Sequence, residues 1–166
     1  GENVRVCAIK GNFDDAQTGV KKMFSNKELA KVMNDNGFQF SSANSINIGR
    51  LVPQVVYYVK AYADLLKQGA LKAGEPMNVV VPTGNFGNIL AAYYARQIGV
   101  PVGKLICASN KNKVLFDFFE TGKYDRNREF YVTTSPSMDI LISSNLERMI
   151  YRIAGNDAKQ CAKFMA

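Results

Sequence analysis

The stretch with the most chemical promise runs from Val79 to Asn88, "VVVPTGNFGN", an apolar run that breaks into two glycines set around Asn85 and Phe86. In a parallel α/β unit, ligands sit at the loop leaving a strand's carboxyl end, where the first amides of the next helix are unpaired and face outward. Gly84 and Gly87 carry no Cβ, so several backbone N–H groups can curl around one anion, and Asn85 and Asn88 tolerate unusual dihedrals and can add side-chain donors. A helix from Asn88 contributes its positive dipole end, which makes phosphate the best ligand. No Lys-Ser or Lys-Thr follows the second glycine as in a Walker loop, and the three-glycine spacing of dinucleotide sites is absent. The same residues also fit a plain strand-to-helix turn with Asn88 as its N-cap.

A second cluster is "SSANSINIGR", in which Ser41, Ser42, Asn44, Ser45 and Asn47 crowd hydroxyls and amides ahead of a helix that carries Arg50 about one turn in. With Asn44 and Ser45 at the helix entrance, Arg50 can fold back beside the same unpaired amides. A phosphate or carboxylate there would meet neutral donors, a dipole end and a guanidinium fork. The alternative is a capping segment with a surface arginine.

The elements that must hold these clusters alternate between strand and helix. A β-prone run spans Val4 to Ile9. Asp14 or Asp15 can cap a helix reaching about Phe24, and Ser25 can cap another from Lys27 to about Asn34, closed by Asn36-Gly37. Apolar residues at 48, 51, 52, 55, 56, 59, 62, 63 and 66 mark a long amphipathic helix, in which Pro53 must bend the first turns or delay the true start. Further strands are predicted at Met77–Val81, Lys104–Ala108 and Glu129–Val132. Further helices are predicted at Asn88–Ile98, Val114–Glu120, Asn145–Ile153 and Asp157–Met165. Strands that are apolar nearly throughout and separated by helices imply an α/β fold, a parallel sheet flanked by helices on both faces.

Composition narrows the function. The chain has 166 residues, 47% hydrophobic and 21% charged, which suits a filled globular core. No run is long enough to span a bilayer and no signal peptide opens the chain, so a cytoplasmic location and no membrane partner are expected. Cys7, Cys107 and Cys161 are odd in number and far apart, as reduced thiols are, and with no histidine neither imidazole chemistry nor a metal site is expected. The net charge of +7 is scattered in short clusters, so no nucleic-acid partner is expected.

Six strings taken together resemble threonine synthases: "GNFDDAQ" (Gly11–Gln17), "SANSINIGR" (Ser42–Arg50), "PTGNFGN" (Pro82–Asn88), "ASNKN" (Ala108–Asn112), "TGKY" (Thr121–Tyr124), and "SPSMDI" followed by "SSNLER". They cover nearly all of the chain in family order. The resemblance implies a two-domain pyridoxal-phosphate enzyme of fold type II, the tryptophan-synthase β type, in which O-phosphohomoserine and water become threonine and phosphate. It implies that Gly84, Asn85, Phe86, Gly87 and Asn88 cup the cofactor phosphate, and that Asn44, Ser45 and Arg50 hold the substrate phosphate. It also implies that residues 1–42 end the smaller domain and that residues 43–166 are part of the larger one.

The chain departs from that family in one large respect. The Schiff-base lysine of the family lies in a Phe-Lys-Asp context upstream of the "GNFDDAQ" region, and that context is absent. The segment that contacts the pyridine nitrogen is absent too, and Lys113 stands where many members carry an acid. The expectation is a central fragment without a catalytic residue of its own, inactive alone, with apolar domain surface exposed for self-association. Three rivals stand beside it. They are a non-catalytic phosphate or phosphometabolite-binding module, a basic nucleic-acid binder, and a serine or threonine dehydratase of the same fold.

Overall fold

Asn12 opens the first helix, α1 (Phe13–Ser25). Its side chain accepts from the Asp15 amide at 3.1 Å while the Asp15 carboxylate accepts from the Asn12 amide at 2.8 Å, a reciprocal capping box. The predicted cap at Asp14 or Asp15 is thereby corrected, since Asp15 fills the third helical position of that box. Asn26, not Ser25, caps α2 (Lys27–Asp35) by accepting from the Leu29 amide at 3.0 Å, because the Ser25 hydroxyl donates back to the Lys21 carbonyl at 2.9 Å. The predicted strand at Val4–Ile9 does not form. Strand propensity needs a neighbouring ladder, and the only ladder among the described residues lies elsewhere, leaving Val6 90% exposed. These helices belong to one unit, which ends at Ser41, and Ser42–Ala166 form another. The computed structural model describes residues 2–166.

In the second unit the long amphipathic stripe becomes three pieces: α3 (Ile48–Leu51), a 3-10 turn (Val52–Gln54) and α4 (Val55–Lys67). Pro53 sits in the 3-10 turn because its ring excludes the regular α-helical hydrogen bond at that place. Strand β1 (Met77–Pro82) leads through α5 (Gly87–Gln97) to β2 (Val102–Ala108), and the two strands pair in parallel with Val79 opposite Leu105 and Val81 opposite Cys107. The α/β class with a parallel sheet therefore holds. One sheet face, with Val79, Val81, Leu105 and Cys107, joins the core around Leu51, Leu90, Val114 and Leu115. The buried Ala91, Ala92 and Ala95 let α5 approach closely. On the other face Val80 is 61% and Ile106 45% exposed.

The rest of the unit carries α6 (Val114–Thr121), a 3-10 turn (Pro136–Met138), α7 (Leu146–Ile153) and α8 (Ala158–Met165). No strand forms at the predicted Glu129–Val132. The Asn112 side chain takes the place of a neighbouring strand, accepting from the Tyr131 amide at 2.9 Å and donating to the Tyr131 carbonyl at 2.8 Å. Buried Asp139 holds the next segment by accepting from the Thr133 amide at 2.8 Å, the Thr133 hydroxyl at 2.7 Å and the Asn110 side chain at 2.8 Å. This anchor delivers Ile140 and Ser143 to the glycine loop. No helix among the described residues is long and apolar enough to cross a membrane.

Candidate phosphate-binding site

The loop between β1 and α5 is held from both sides. The Thr83 amide donates to the Ala108 carbonyl at 2.8 Å, extending the ladder, and the Ser143 hydroxyl donates to the Gly84 carbonyl. A Cβ at Gly84 would lie 2.7 Å from Ile140 Cδ1, and one at Gly87 would lie 2.6 Å from Ser45 Cβ. The glycines therefore serve close packing, and neither adopts a positive φ. The left-handed residue is Phe86, with φ 68°, at the N-cap of α5. That conformation costs a side-chain-bearing residue about 1–2 kcal/mol, and burying the ring to 3% exposure offsets it by about 1.5–3 kcal/mol.

The loop leaves a set of donors unused. Only the Gly87 amide is taken up locally, by Asn85 Oδ1 at 2.9 Å. Among the described residues the backbone amides of Gly84, Asn85, Phe86, Asn88 and Ile89 have no acceptor. Five such N–H groups at the positive end of an eleven-residue helix are an anion receptor in waiting. The side chains of the two asparagines are committed to the protein. Asn85 Nδ2 reaches Asn44 Oδ1 at 3.4 Å. Asn88 does not cap the helix: its Nδ2 donates to Gln54 Oε1 at 3.0 Å and its Oδ1 accepts from Tyr58 at 2.7 Å. Burial raises the Tyr58 phenol to about 12, so it remains a donor.

The second cluster lies against the first. Asn44 Oδ1 accepts from the Ile46 amide at 3.1 Å and from the Ser45 hydroxyl at 3.3 Å, while Asn47 caps α3 through the Gly49 amide at 3.0 Å. Ser45, 7% exposed, touches Gly87 and shares a cavity of about 230 Å³ with Gly49, Arg50, Gln54 and Tyr57. Arg50 is exposed at its rim and makes no ion pair among the described residues. With only four residues, α3 contributes little dipole, so the predicted help from a long helix entrance gives way to Arg50 and Ser45 themselves. All eight predicted site residues thus gather around the junction of the 44–50 and 84–88 loops. Among the described residues no lysine lines the cavity.

The residues that make this junction rigid escaped the pattern reading. Asn145, fully buried, donates from Nδ2 to the Asn85 carbonyl at 3.1 Å and to Ser45 Oγ at 3.0 Å, and its amide donates to the same carbonyl at 3.0 Å. Arg148, one turn on, donates to the Ser45 and Ile46 carbonyls at 2.8 and 2.6 Å. The signal was present in the string "SSNLER", which carries Ser143, Asn145 and Arg148 together.

No family model matches the chain. It is 50% identical over 160 residues to threonine synthase-like 1 of Homo sapiens, covering 95% of this chain and 22% of that protein. It is 40% identical over 168 residues to the threonine synthase of Pseudomonas aeruginosa, covering 99% and 33%. The solved pyridoxal-phosphate-bound threonine synthase of Brucella melitensis superposes with a TM-score of 0.78 at 44% identity, over 98% of this chain and 33% of that one. The chain is similar to threonine synthases along nearly its whole length. It spans 22% to 33% of the length of these relatives. The resemblance of the six ordered strings is therefore borne out, and the parallel α/β class is that of the threonine synthase neighbours.

Proposed function

We propose that this chain is the phosphate-gripping part of a pyridoxal-phosphate enzyme that converts O-phospho-L-homoserine and water to L-threonine and phosphate. One observation carries the reading. Two separate anion-seeking loops, one with unused amides and one with an unpaired arginine, meet at the Ser45–Gly87 contact. A cofactor phosphate and a substrate phosphate are two anions that must lie near each other in such a reaction.

The donor set fits the cofactor's phosphate. The amides of Gly84, Asn85, Phe86, Asn88 and Ile89 would hold it, with Gly87 and Ser45 keeping the loops in register. When bound, pyridoxal phosphate supplies an electron sink for carbanions. Asn44, Ser45 and Arg50 would hold the substrate phosphate, which leaves by β,γ-elimination before hydration. Arg50 can meet two phosphate oxygens with its fork. Because negative charge on the leaving oxygen grows as the C–O bond breaks, this grip strengthens toward the transition state. In this reading residues 1–42 end a smaller domain, residues 43–166 belong to a larger one, and the protein works in the cytoplasm. The lysine that would carry the cofactor lies outside the chain, so the chain alone does not turn over.

The test begins with the reading frame upstream of the Gly1 codon. Its protein should release phosphate from O-phospho-L-homoserine with pyridoxal phosphate, and Arg50→Ala should lower kcat/KM by about a hundredfold or more. A protein that releases none, or an Arg50→Ala variant with unaltered kinetics, overturns the reading. Threonine formation by the 166-residue chain alone would overturn its inactivity. One observation favours a second reading, a phosphometabolite binder without synthase turnover. Among the described residues no lysine lines the cavity that Ser45 and Arg50 share, and a simple binder needs none. Tight phosphate-ester binding without product in the same assay would select it.

A further inference from the structure

We propose that Arg148 and Asn145 are positioning residues that aim the Ser45 hydroxyl proton at a bound phosphate and lock the 44–47 loop onto the glycine loop. The proposal rests on the reading above. Arg148 is half-buried on α7 and forms no ion pair among the described residues. Its guanidinium is spent on the Ser45 carbonyl at 2.8 Å, the Ile46 carbonyl at 2.6 Å and Asn145 Oδ1. A charged group with five donors in a rigid fork suits two successive carbonyls, whereas an ammonium cannot span them with the same geometry. Its positive charge therefore stays uncompensated directly behind Ser45.

The contact with Asn145 decides which way that amide faces. Because Arg148 donates, the atom it meets must be Oδ1, and Nδ2 must then point to the Asn85 carbonyl and to Ser45 Oγ. Ser45 Oγ thus accepts from Asn145 at 3.0 Å and is left with its own proton to give. The present acceptor, Asn44 Oδ1, is 3.3 Å away, long for a hydroxyl donor, and is already shared with the Ile46 amide. A phosphate oxygen is a stronger acceptor, so the proton turns to it when an anion arrives. The chain Arg148, Asn145, Ser45 is polarised in one direction, toward the cavity that Ser45 shares with Arg50. The same Asn145 bonds the Asn85 carbonyl, so the glycine loop and the serine loop hang from one buried side chain.

The experiment uses the 166-residue chain, with inorganic phosphate as the probe and amide-resolved NMR as the readout. The variants are Arg148→Met, which removes fork and charge, and Arg148→Lys, which keeps the charge only. Arg148→Met should weaken phosphate-induced shifts at Ser45 and Arg50 about tenfold. Those at Gly84 and Phe86 should stay within about twofold, and hydrogen exchange across α5 should be unchanged. Arg148→Lys should fall between parent and Arg148→Met in affinity. Hydrogen exchange of the Ile46 and Asn47 amides should rise about tenfold in both variants. Parallel loss at both loops means a merely structural role and overturns the proposal. So does unaltered exchange at Ile46 and Asn47, whether or not phosphate binds. A parent chain that ignores phosphate at both loops counts against the phosphate reading itself, and the exchange data then decide the loop-locking role separately.

Discussion

Gly87 is the point at which the two loops touch, and a single methyl group tests whether that contact governs the site. A Cβ at position 87 lies 2.6 Å from Ser45 Cβ and 3.2 Å from Asn85 Oδ1. Carbon atoms rest about 3.5–4.0 Å apart, so Gly87→Ala must push the serine loop away by about 1 Å. Overpacking of this kind costs about 1–3 kcal/mol, and the better helix propensity of alanine returns at most about 1 kcal/mol. From the middle of that range, about 2 kcal/mol, the net loss of about 1–2 kcal/mol corresponds to a fall in Tm of roughly 2–8 °C for a chain of this size. The same displacement breaks the 3.4 Å Asn85–Asn44 and 3.0 Å Asn145–Ser45 bonds, so phosphate affinity should fall with stability. Ser45→Gly removes the obstructing atoms. Thermal unfolding of the parent, Gly87→Ala, Ser45→Gly and the double variant should give a favourable coupling of about 1–2 kcal/mol. A Gly87→Ala chain as stable as the parent, or a double variant that merely adds the two single losses, refutes the steric account of that glycine.

Three further outcomes follow from the geometry. Because burial raises the Tyr58 phenol to about 12, its neutral form is favoured on folding; that stability is complete below the ordinary tyrosine range and is lost as pH rises to about 12, so one tyrosine should titrate late in a spectrophotometric titration and Tyr58→Phe should abolish that step. For Asp139, burial works to raise the carboxyl and the hydrogen bonds from Thr133, Asn110 and Asn112 outweigh it, holding it below the usual carboxylate range. Its contribution is therefore present above the usual range and disappears as pH falls through its lower folded value, and Asp139→Asn should flatten the acid limb of a Tm-against-pH curve. The exposed pair Val80 and Ile106 on the open sheet face should drive self-association, seen as a sedimentation coefficient that rises with concentration; a clean monomer at high concentration, or no relief from Ile106→Lys, counts against it.

How much of this was legible in the sequence depends on where each element gets its stability. The stripe from Ile48 to Leu66, the strands at Met77 and Lys104 and the helices after them were readable because periodicity records which face is buried, and burial dominates. Val4–Ile9 and Glu129–Val132 were misread for a shared reason. A strand is a property of a pair, and β-prone residues say nothing about whether a partner is within reach. At Tyr131 the partner turned out to be one side chain, Asn112, which saturates a single residue's amide and carbonyl and leaves nothing to propagate as a ladder.

The glycine loop gives the sharper lesson, because its geometry differs from what its composition suggested. Two glycines and two asparagines suggested unusual dihedrals and spare side-chain donors. The unusual dihedral falls instead on Phe86, where the aromatic ring is sunk in the core and its burial outweighs the strain. The asparagine side chains are bound to Asn44, Gln54 and Tyr58, and the glycines make room for Ile140 and Ser45. All four side-chain features are thus spent on holding the backbone still, and the donors that remain are the amides themselves. An anion receptor made of backbone alone needs this division of labour. Flexible amides would lose binding energy to ordering on each encounter, whereas amides fixed by Phe86, Asn88 and Asn145 have already lost that freedom in folding. On this reading Asn145 and Arg148, far along the chain and outside both loops, serve the site by holding the Ser45, Ile46 and Asn85 backbone in place.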